Sequence, residues 1–265
     1  MPNEAPIRGA PPGVALDVNA FIGQFPFREL PHPDPDVLVR VMAREGIARA
    51  WVGDLPGAFH RDPAASNARL IETLAPFAGV LLPTPIVRPD WPRWEERLAE
   101  AGAAGAKAVR AYPQHWGMGA GDARLAELAA ACAGHGLAVL LTVRFEDLRQ
   151  RHPLDVAGDL SAAHVRELAR AGTGARIVVT AAGRDLIEET HWGLTPDERT
   201  RVFFDFSWVW GPPSDELALL FRTMGRARFV YGTMWPLRLT QGARANLALL
   251  PDEAPTIPLA DPSTW

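Results

Sequence analysis

Eight short apolar runs recur along the chain, and amphipathic stretches separate most of them. The runs are Val14–Ala20, Ala48–Val52, Val80–Val87, Ala106–Ala111, Ala138–Val143, Arg176–Thr180, Val202–Phe206 and Phe229–Gly232. Between them, Asp34–Glu45 places Val37, Leu38, Val41 and Met42 on one stripe, and Asn67–Phe77 does the same with Leu70, Ile71 and Leu74. Trp91–Gly102, Ala123–His135, Ser161–Ala171 and Ser214–Met224 continue the series. These spacings are those of helices that bury one face. The strands read as unbroken runs rather than clean alternation, the pattern of parallel strands covered on both sides. Eight such units predict an α/β chain closed into a (β/α)8 TIM barrel, with a doubly wound open sheet as the rival.

Local punctuation agrees. Asp34 precedes Pro35, a favoured first helical residue. Gly102, Gly136 and Gly172 fall where helices should end, and Ser161 and Ser214 fall at N-cap positions. No linker divides the chain, so residues 1–265 read as one domain. The loop "LRQRHPLDVAGDLS" is long enough to act as a lid or a specificity loop. The proline-rich tail "PDEAPTIPLADPSTW" is expected to wrap the outside.

Composition narrows the partners. A formal net charge of −4 gives no reason to expect nucleic acid or an anionic membrane surface. The one cysteine, Cys132, sits in an alanine-rich helical run and reads as a small hydrophobe, so no disulfide framework is possible. No apolar run approaches the roughly 18 residues of a membrane span. The opening "MPNEAPIRGAPPG" lacks the apolar core of a signal peptide. A cytoplasmic protein is the expectation.

In such barrels the working residues sit at the C-terminal strand ends. Read in order, those ends are "DVNAFIGQFPFR", "WVGDLPGAFH", "PTPIVRPD", "VRAYPQHWG", "LTVRFEDLR", "VTAAGRD", "FDFSWVWGP" and "YGTMWPLR". Their order resembles the amidohydrolase superfamily, in its amidohydrolase-related branch of metal-dependent hydrolases, lactonases and decarboxylases. "LDVNAFIG" followed by "FPFR", then "RIVVTAAG" and "FVYGTMWP", carry the resemblance over nearly the whole chain.

The resemblance also exposes a departure. The family's two first-strand histidines correspond to Asn19 and Phe21, with Asp17 retained. Its fifth- and sixth-strand histidines correspond to Thr142 and Ala181, and its eighth-strand aspartate to Met234. Zinc requires imidazole, thiolate or carboxylate ligands, and this set supplies none of them. The expectation is therefore no metal and no cofactor, and no pair among the seven histidines forms an HxH or HExxH motif.

What remains at the strand ends is cationic and aromatic. Arg28, Arg110, Arg144, Arg184 and Arg238 follow or end strands, and a guanidinium grips carboxylates with a planar fork. Trp208 and Trp235 supply apolar wall, with Trp116 beside them. Together with Asn19, these are candidate binding residues for a small anionic molecule. Asp17 and Glu146 are the candidate proton-handling groups. Against this stands the possibility that each arginine pairs with a nearby acid and that the aromatics form a dry plug or a homodimer contact. No Ser–His or Cys–His pair appears at the strand ends. The sequence thus leaves two classes open: an amidohydrolase-like barrel without its metal and without catalysis, or a metal-independent hydrolase, lactonase or decarboxylase acting on a small anion.

Overall fold

The structure is a computed structural model that describes residues 13–250 and 259–265. The elements run β1 (Val14–Ile22), α1 (Pro35–Glu45), β2 (Ile47–Asp54), α2 (Ala64–Leu74), β3 (Leu81–Pro83), α3 (Trp94–Ala103), β4 (Ala108–Ala111), α4 (Ala123–Gly134) and β5 (Ala138–Thr142). They continue with α5 (Ala162–Arg170), β6 (Ile177–Thr180), α6 (Arg184–Trp192), α7 (Pro196–Arg199), β7 (Val202–Asp205), α8 (Glu216–Met224), β8 (Phe229–Val230) and α9 (Thr240–Ala248). All strand pairs are parallel, in the orders β1-β2-β3 and β4-β5-β6-β7-β8.

Two seams close these runs into a (β/α)8 barrel. Between β3 and β4, Ile86 bridges Arg110, and the Arg110 amide donates to the Pro85 carbonyl at 2.9 Å. Between β8 and β1, the Val18 amide donates to Tyr231 at 2.9 Å and the Met234 amide to Asn19 at 2.7 Å. The third strand is shorter than the Val80–Val87 run because Pro83 and Pro85 have no N–H for a ladder. Asn67 of α2 compensates: its side-chain amide both donates to and accepts from the Ile86 backbone, at 2.8 Å each way.

Helix ends follow the sequence signals in part. Pro35 opens α1, and Gly46 closes it at φ 68°, where a side chain would be strained. Asp122 caps α4 by accepting from the Arg124 amide. Ser161 does precede α5, but its hydroxyl meets the His164 ring at 2.8 Å instead of the backbone. Ser214 is not a cap at all, because α8 starts one residue later behind Asp215.

The core divides by layer. Outward strand residues such as Val109, Val139 and Val179 pack against the helices through Leu38, Leu128, Ile187 and Phe221. Inside the barrel, Leu16, Val18, Trp51, Leu140, Val178 and Val230 fill the lower half. Trp265 joins that inner group, 6.3 Å from the Trp51 ring and 4.6 Å from Phe203. The last residues therefore close the barrel floor, where an outside wrap was expected; the tail's earlier part and the first twelve residues lie outside the described residues. A third group fills the mouth and belongs to the site.

Candidate functional site

β1 departs from simple alternation where it matters. Its register against β2 shifts between Asp17, opposite Ala50, and Ala20, opposite Val52. Three steps of one strand match two of the other, a bulge that re-aims side chains. Asp17 and Asn19 consequently serve different partners. The Asp17 carboxylate folds back, accepting from the Asn19 amide at 2.9 Å, the Thr233 amide at 3.1 Å and the Thr233 hydroxyl at 2.5 Å. Asn19 instead donates through Nδ2 to Asp205 at 2.8 Å and accepts at Oδ1 from Arg110 at 3.2 Å.

Arg110 is the centre of the arrangement. It leaves β4 fully buried, its guanidinium 4.1 Å from the centroid of Phe21. Nε donates to Thr84 at 3.0 Å and Nη2 to the Ala20 carbonyl at 3.3 Å. Every one of these acceptors is neutral, and among the described residues no carboxylate bridges this cation. A Cβ on Gly53 would stand 2.6 Å from Arg110 Nε, so β2 needs glycine there to let the side chain through. Burial pulls the guanidinium's pKa below its ordinary value.

Asp205, at the end of β7, is held as firmly. It accepts from the Ala181 amide at 3.0 Å, the Ser207 hydroxyl at 3.0 Å and Asn19. Burial raises its pKa, and burial raises that of Asp17 to about 6 despite the donors around it. Both carboxylates lie close enough to Arg110 to act on it without touching it. Thr142 and Thr180 share a 3.0 Å hydroxyl contact. The Tyr112 hydroxyl is fully buried, faces Arg110 and Thr142, and closes no well-formed hydrogen bond with either.

Above this polar floor lies an aromatic cover. Phe21, Phe25, Leu55, Ile86, Tyr112 and Phe145 pack with Ala181 and Met234. Phe59 and His115 press on Phe145 from 5.2 and 5.7 Å. Ala181 and Met234 hold left-handed backbone, φ 58° and 61°, at the two strand ends where the resemblance expected metal ligands. A bend that could aim a ligand is present at each, but the side chain it carries is apolar. Sulfur at Met234 accepts from the Trp208 indole instead, at 2.8 Å.

The other sequence candidates spread around the rim. Arg28 bridges Glu146 at 2.8 Å, tying the first loop to the loop after β5. Arg144 bridges Asp159 at 2.8 Å and Arg184 bridges Glu188 at 3.1 Å, so both are committed to local acids. Arg238 has no acid bridge among the described residues and lies over Trp208 at 4.5 Å. Trp235 is buried in the layer between strands and helices, away from the mouth. The structure thus gathers Asp17, Asn19 and Arg110 into one network, leaves Arg144, Arg238 and Trp208 at its edge, and sets Arg184 apart. Sequence reasoning missed Asp205, Tyr112 and Phe145 as members of the site. Asp205 was legible as a carboxylate ending an apolar run; nothing local marked the other two.

A divalent ion does not fit here. Among the described residues no group of three or more His, Cys, Asp or Glu side chains could hold one. The family positions carry amide, ring, hydroxyl, methyl and thioether, and a fixed guanidinium already stands among them. Cation would oppose cation.

Comparison with solved structures places this architecture. The chain superposes on a dihydroxybenzoic acid decarboxylase from Polaromonas with a TM-score of 0.64 at 12% identity, covering 91% of this chain and 92% of that one. That structure holds manganese and the inhibitor 2-nitroresorcinol. A 2,6-dihydroxybenzoate decarboxylase from Rhizobium matches with a TM-score of 0.59 at 15% identity over 92% and 94%. A Staphylococcus aureus structure provisionally named an amidohydrolase matches at 0.61 and 10% identity over 89% and 92%. These structures share the (β/α)8 fold of this chain. Identities this low establish the fold and nothing finer. No family model matches the sequence, and no curated protein matches it either.

Proposed function

We propose that this barrel is a metal-independent enzyme of the decarboxylase or hydrolase type that acts on a small anionic aromatic compound. The observation that carries the reading is the buried Arg110 guanidinium, held by neutral acceptors and bridged by no carboxylate among the described residues. A desolvated cation of this kind binds an anion more strongly than a solvated one. One solved structure of this fold holds manganese together with an inhibitor, and a bound divalent ion can supply positive charge to a ligand; here a side chain would supply it. Among the solved structures of this fold are decarboxylases named for dihydroxybenzoates, one of them complexed with 2,6-dihydroxybenzoate. Decarboxylation exchanges carboxylate for a proton at the ring carbon. Asp17, raised by burial to about 6, is the group placed to hold that proton, and Asp205 beside it is shifted in the same direction by burial.

A panel of hydroxybenzoates, assayed for CO2 release with manganese and separately with EDTA, tests this. The expected result is turnover that EDTA leaves unchanged and that Arg110→Met removes. Turnover that EDTA abolishes and manganese restores would refute metal independence. A second reading, a barrel retained as a non-catalytic scaffold, is favoured by the packed cover of Phe21, Phe25, Phe59, Tyr112 and Phe145. It predicts no turnover by the parent or by any variant with a loosened cover.

A further inference from the structure

Phe145 is the ring on which the cover turns. It is buried, and its centroid lies 5.2 Å from Phe59, 5.6 Å from Tyr112, 5.7 Å from His115 and 5.9 Å from Phe21. Unlike Phe21, which stands on β1, and Tyr112, which directly follows β4, it lies beyond any strand end. It belongs to the loop between β5 and α5, whose outward residues Leu148, Leu154 and Val156 are 76, 74 and 87% exposed. Those side chains give the loop no core packing. The loop is held by ion pairs among Arg144, Arg151, Asp155 and Asp159, by the Arg28–Glu146 bridge, and by His152 stacked on Phe27 at 5.2 Å. Val143 and Leu160 bury the two ends of the loop in the layer between strands and helices, and Phe145 is the apolar side chain it sends into the mouth cluster.

Near that ring are buried polar atoms that close no well-formed hydrogen bond. The Tyr112 hydroxyl and Gln114 Oε1 are buried without a hydrogen-bond partner, although Gln114 is itself pinned through Nε2 to the Thr142 carbonyl at 2.8 Å. Buried groups of this kind normally find partners, and leaving one unmade costs free energy. Arg110 uses three of its five N–H groups, on Thr84, Asn19 and the Ala20 carbonyl. Two spare guanidinium N–H groups and one phenolic O–H therefore share a buried corner, with the Phe145 ring 5.6 Å from the Tyr112 ring.

We propose that Phe145 is a displaceable plug in an aromatic-acid site: its ring holds the place of the ligand's ring, and Arg110 with the Tyr112 hydroxyl receives the ligand's carboxylate. Gln114 Oε1 is then free to accept from a ring hydroxyl. Entry requires the β5–α5 loop to lift Phe145 out, and the ligand's ring restores the edge-to-face packing that the plug gives up. This rests on the reading above for the ligand class only; the binding site does not require that chemistry follow.

Calorimetric titration with benzoate tests it, with toluene as the uncharged ring and acetate as the ringless anion. In the parent the plug competes with the ligand. Phe145→Ala removes the competitor, so benzoate should bind at least tenfold tighter to F145A than to the parent, and acetate should gain little. Adding Tyr112→Phe should return most of the benzoate gain while leaving toluene binding unchanged. Phe145→Leu, which keeps an apolar filler of smaller size, repeats the measurement if F145A fails to fold. Equal affinity of F145A for benzoate and toluene would mean an apolar hole with no anion floor, and the proposal fails. So does an absence of benzoate binding in both variants, or a Y112F change without effect. The CO2 assay separates the two claims: selective benzoate binding without turnover overturns the enzymatic reading and leaves the plug standing.

Discussion

Two residues with nowhere to move carry sharp predictions. Asp205 is held by four donors, and a Cβ on Gly232 would come within 2.6 Å of its Oδ2. Since the carboxylate cannot swing aside without losing a buried bond, Gly232→Ala should cost about 1–3 kcal/mol. The denaturant midpoint measures it, and a loss within error would mean that Asp205 is not fixed. Asp17 gives a pH dependence whose sign is unusual for a carboxylate. Burial raises its pKa from the ordinary carboxyl range to about 6. Between those values the folded protein still holds a proton that the unfolded chain has released. Its contribution is thus fully present at low pH and is lost as pH rises through 6, by up to about 3 kcal/mol. Asp90, Asp122 and Asp147 shift the other way beside their arginines, so total stability mixes opposite trends. Subtracting the Asp17→Asn variant isolates the effect. Stability of the parent relative to D17N should fall between pH 4 and pH 7, and a flat difference would mean that Asp17 is ionised throughout.

At the level of elements, the sequence was most readable where periodicity alone decides structure. The stripe Val37, Leu38, Val41 and Met42 became α1 almost to its ends, because a helix needs only its own spacing and caps. The run Val80–Val87 became a three-residue strand, because two prolines silence the ladder and a side chain from α2 takes over at Ile86. The aim of Asp17 and Asn19 was misleading for a related reason. Alternation puts them on one face, and a one-residue bulge, which depends on how β2 and β8 pair with β1, parts them. Phe145 lay beyond reach altogether, since nothing in "VRFEDLR" says that the loop folds inward. That loop can be probed directly. Arg28 reaches across to Glu146, which is 7% exposed while Arg28 is 45% exposed. Arg28→Ala removes the tie and strands a buried carboxylate. Amide exchange in residues 144–159 should then speed up while β4, β5 and β6 stay protected. Acceleration that spreads to those strands would mean that the bridge supports the barrel and not the loop alone.

Across the whole molecule, the arrangement is a barrel that carries a buried guanidinium, with no cluster of metal-ligating side chains among the described residues, at its strand ends. The strand-end bends at Ala181 and Met234 remain, and the left-handed backbone there is strained for residues other than glycine. The groups that such bends would present to a metal are a methyl and a thioether. In their midst Arg110 is bound to Asn19 and faces Phe21, two of the positions that the family resemblance assigns to metal ligands. A divalent ion entering this space would meet a resident cation, one amide oxygen already engaged and no imidazole. A ligand that binds only the folded state raises its stability, by about 2.7 kcal/mol at a hundred times its dissociation constant. A metal site of even ten-micromolar affinity would therefore announce itself in a thermal melt at about one millimolar ion. The expectation is that millimolar manganese and EDTA leave the melting temperature of the parent unchanged and that sub-millimolar zinc does the same. Arg110→Met combined with Asn19→His and Phe21→His supplies the contrast, because it removes the cation and restores two imidazoles beside Asp205. If that variant gains a metal-dependent shift while the parent shows none, the guanidinium and the missing ligands together account for metal independence. A manganese shift in the parent that EDTA reverses would place the ion somewhere the Arg110 argument does not reach and would defeat it.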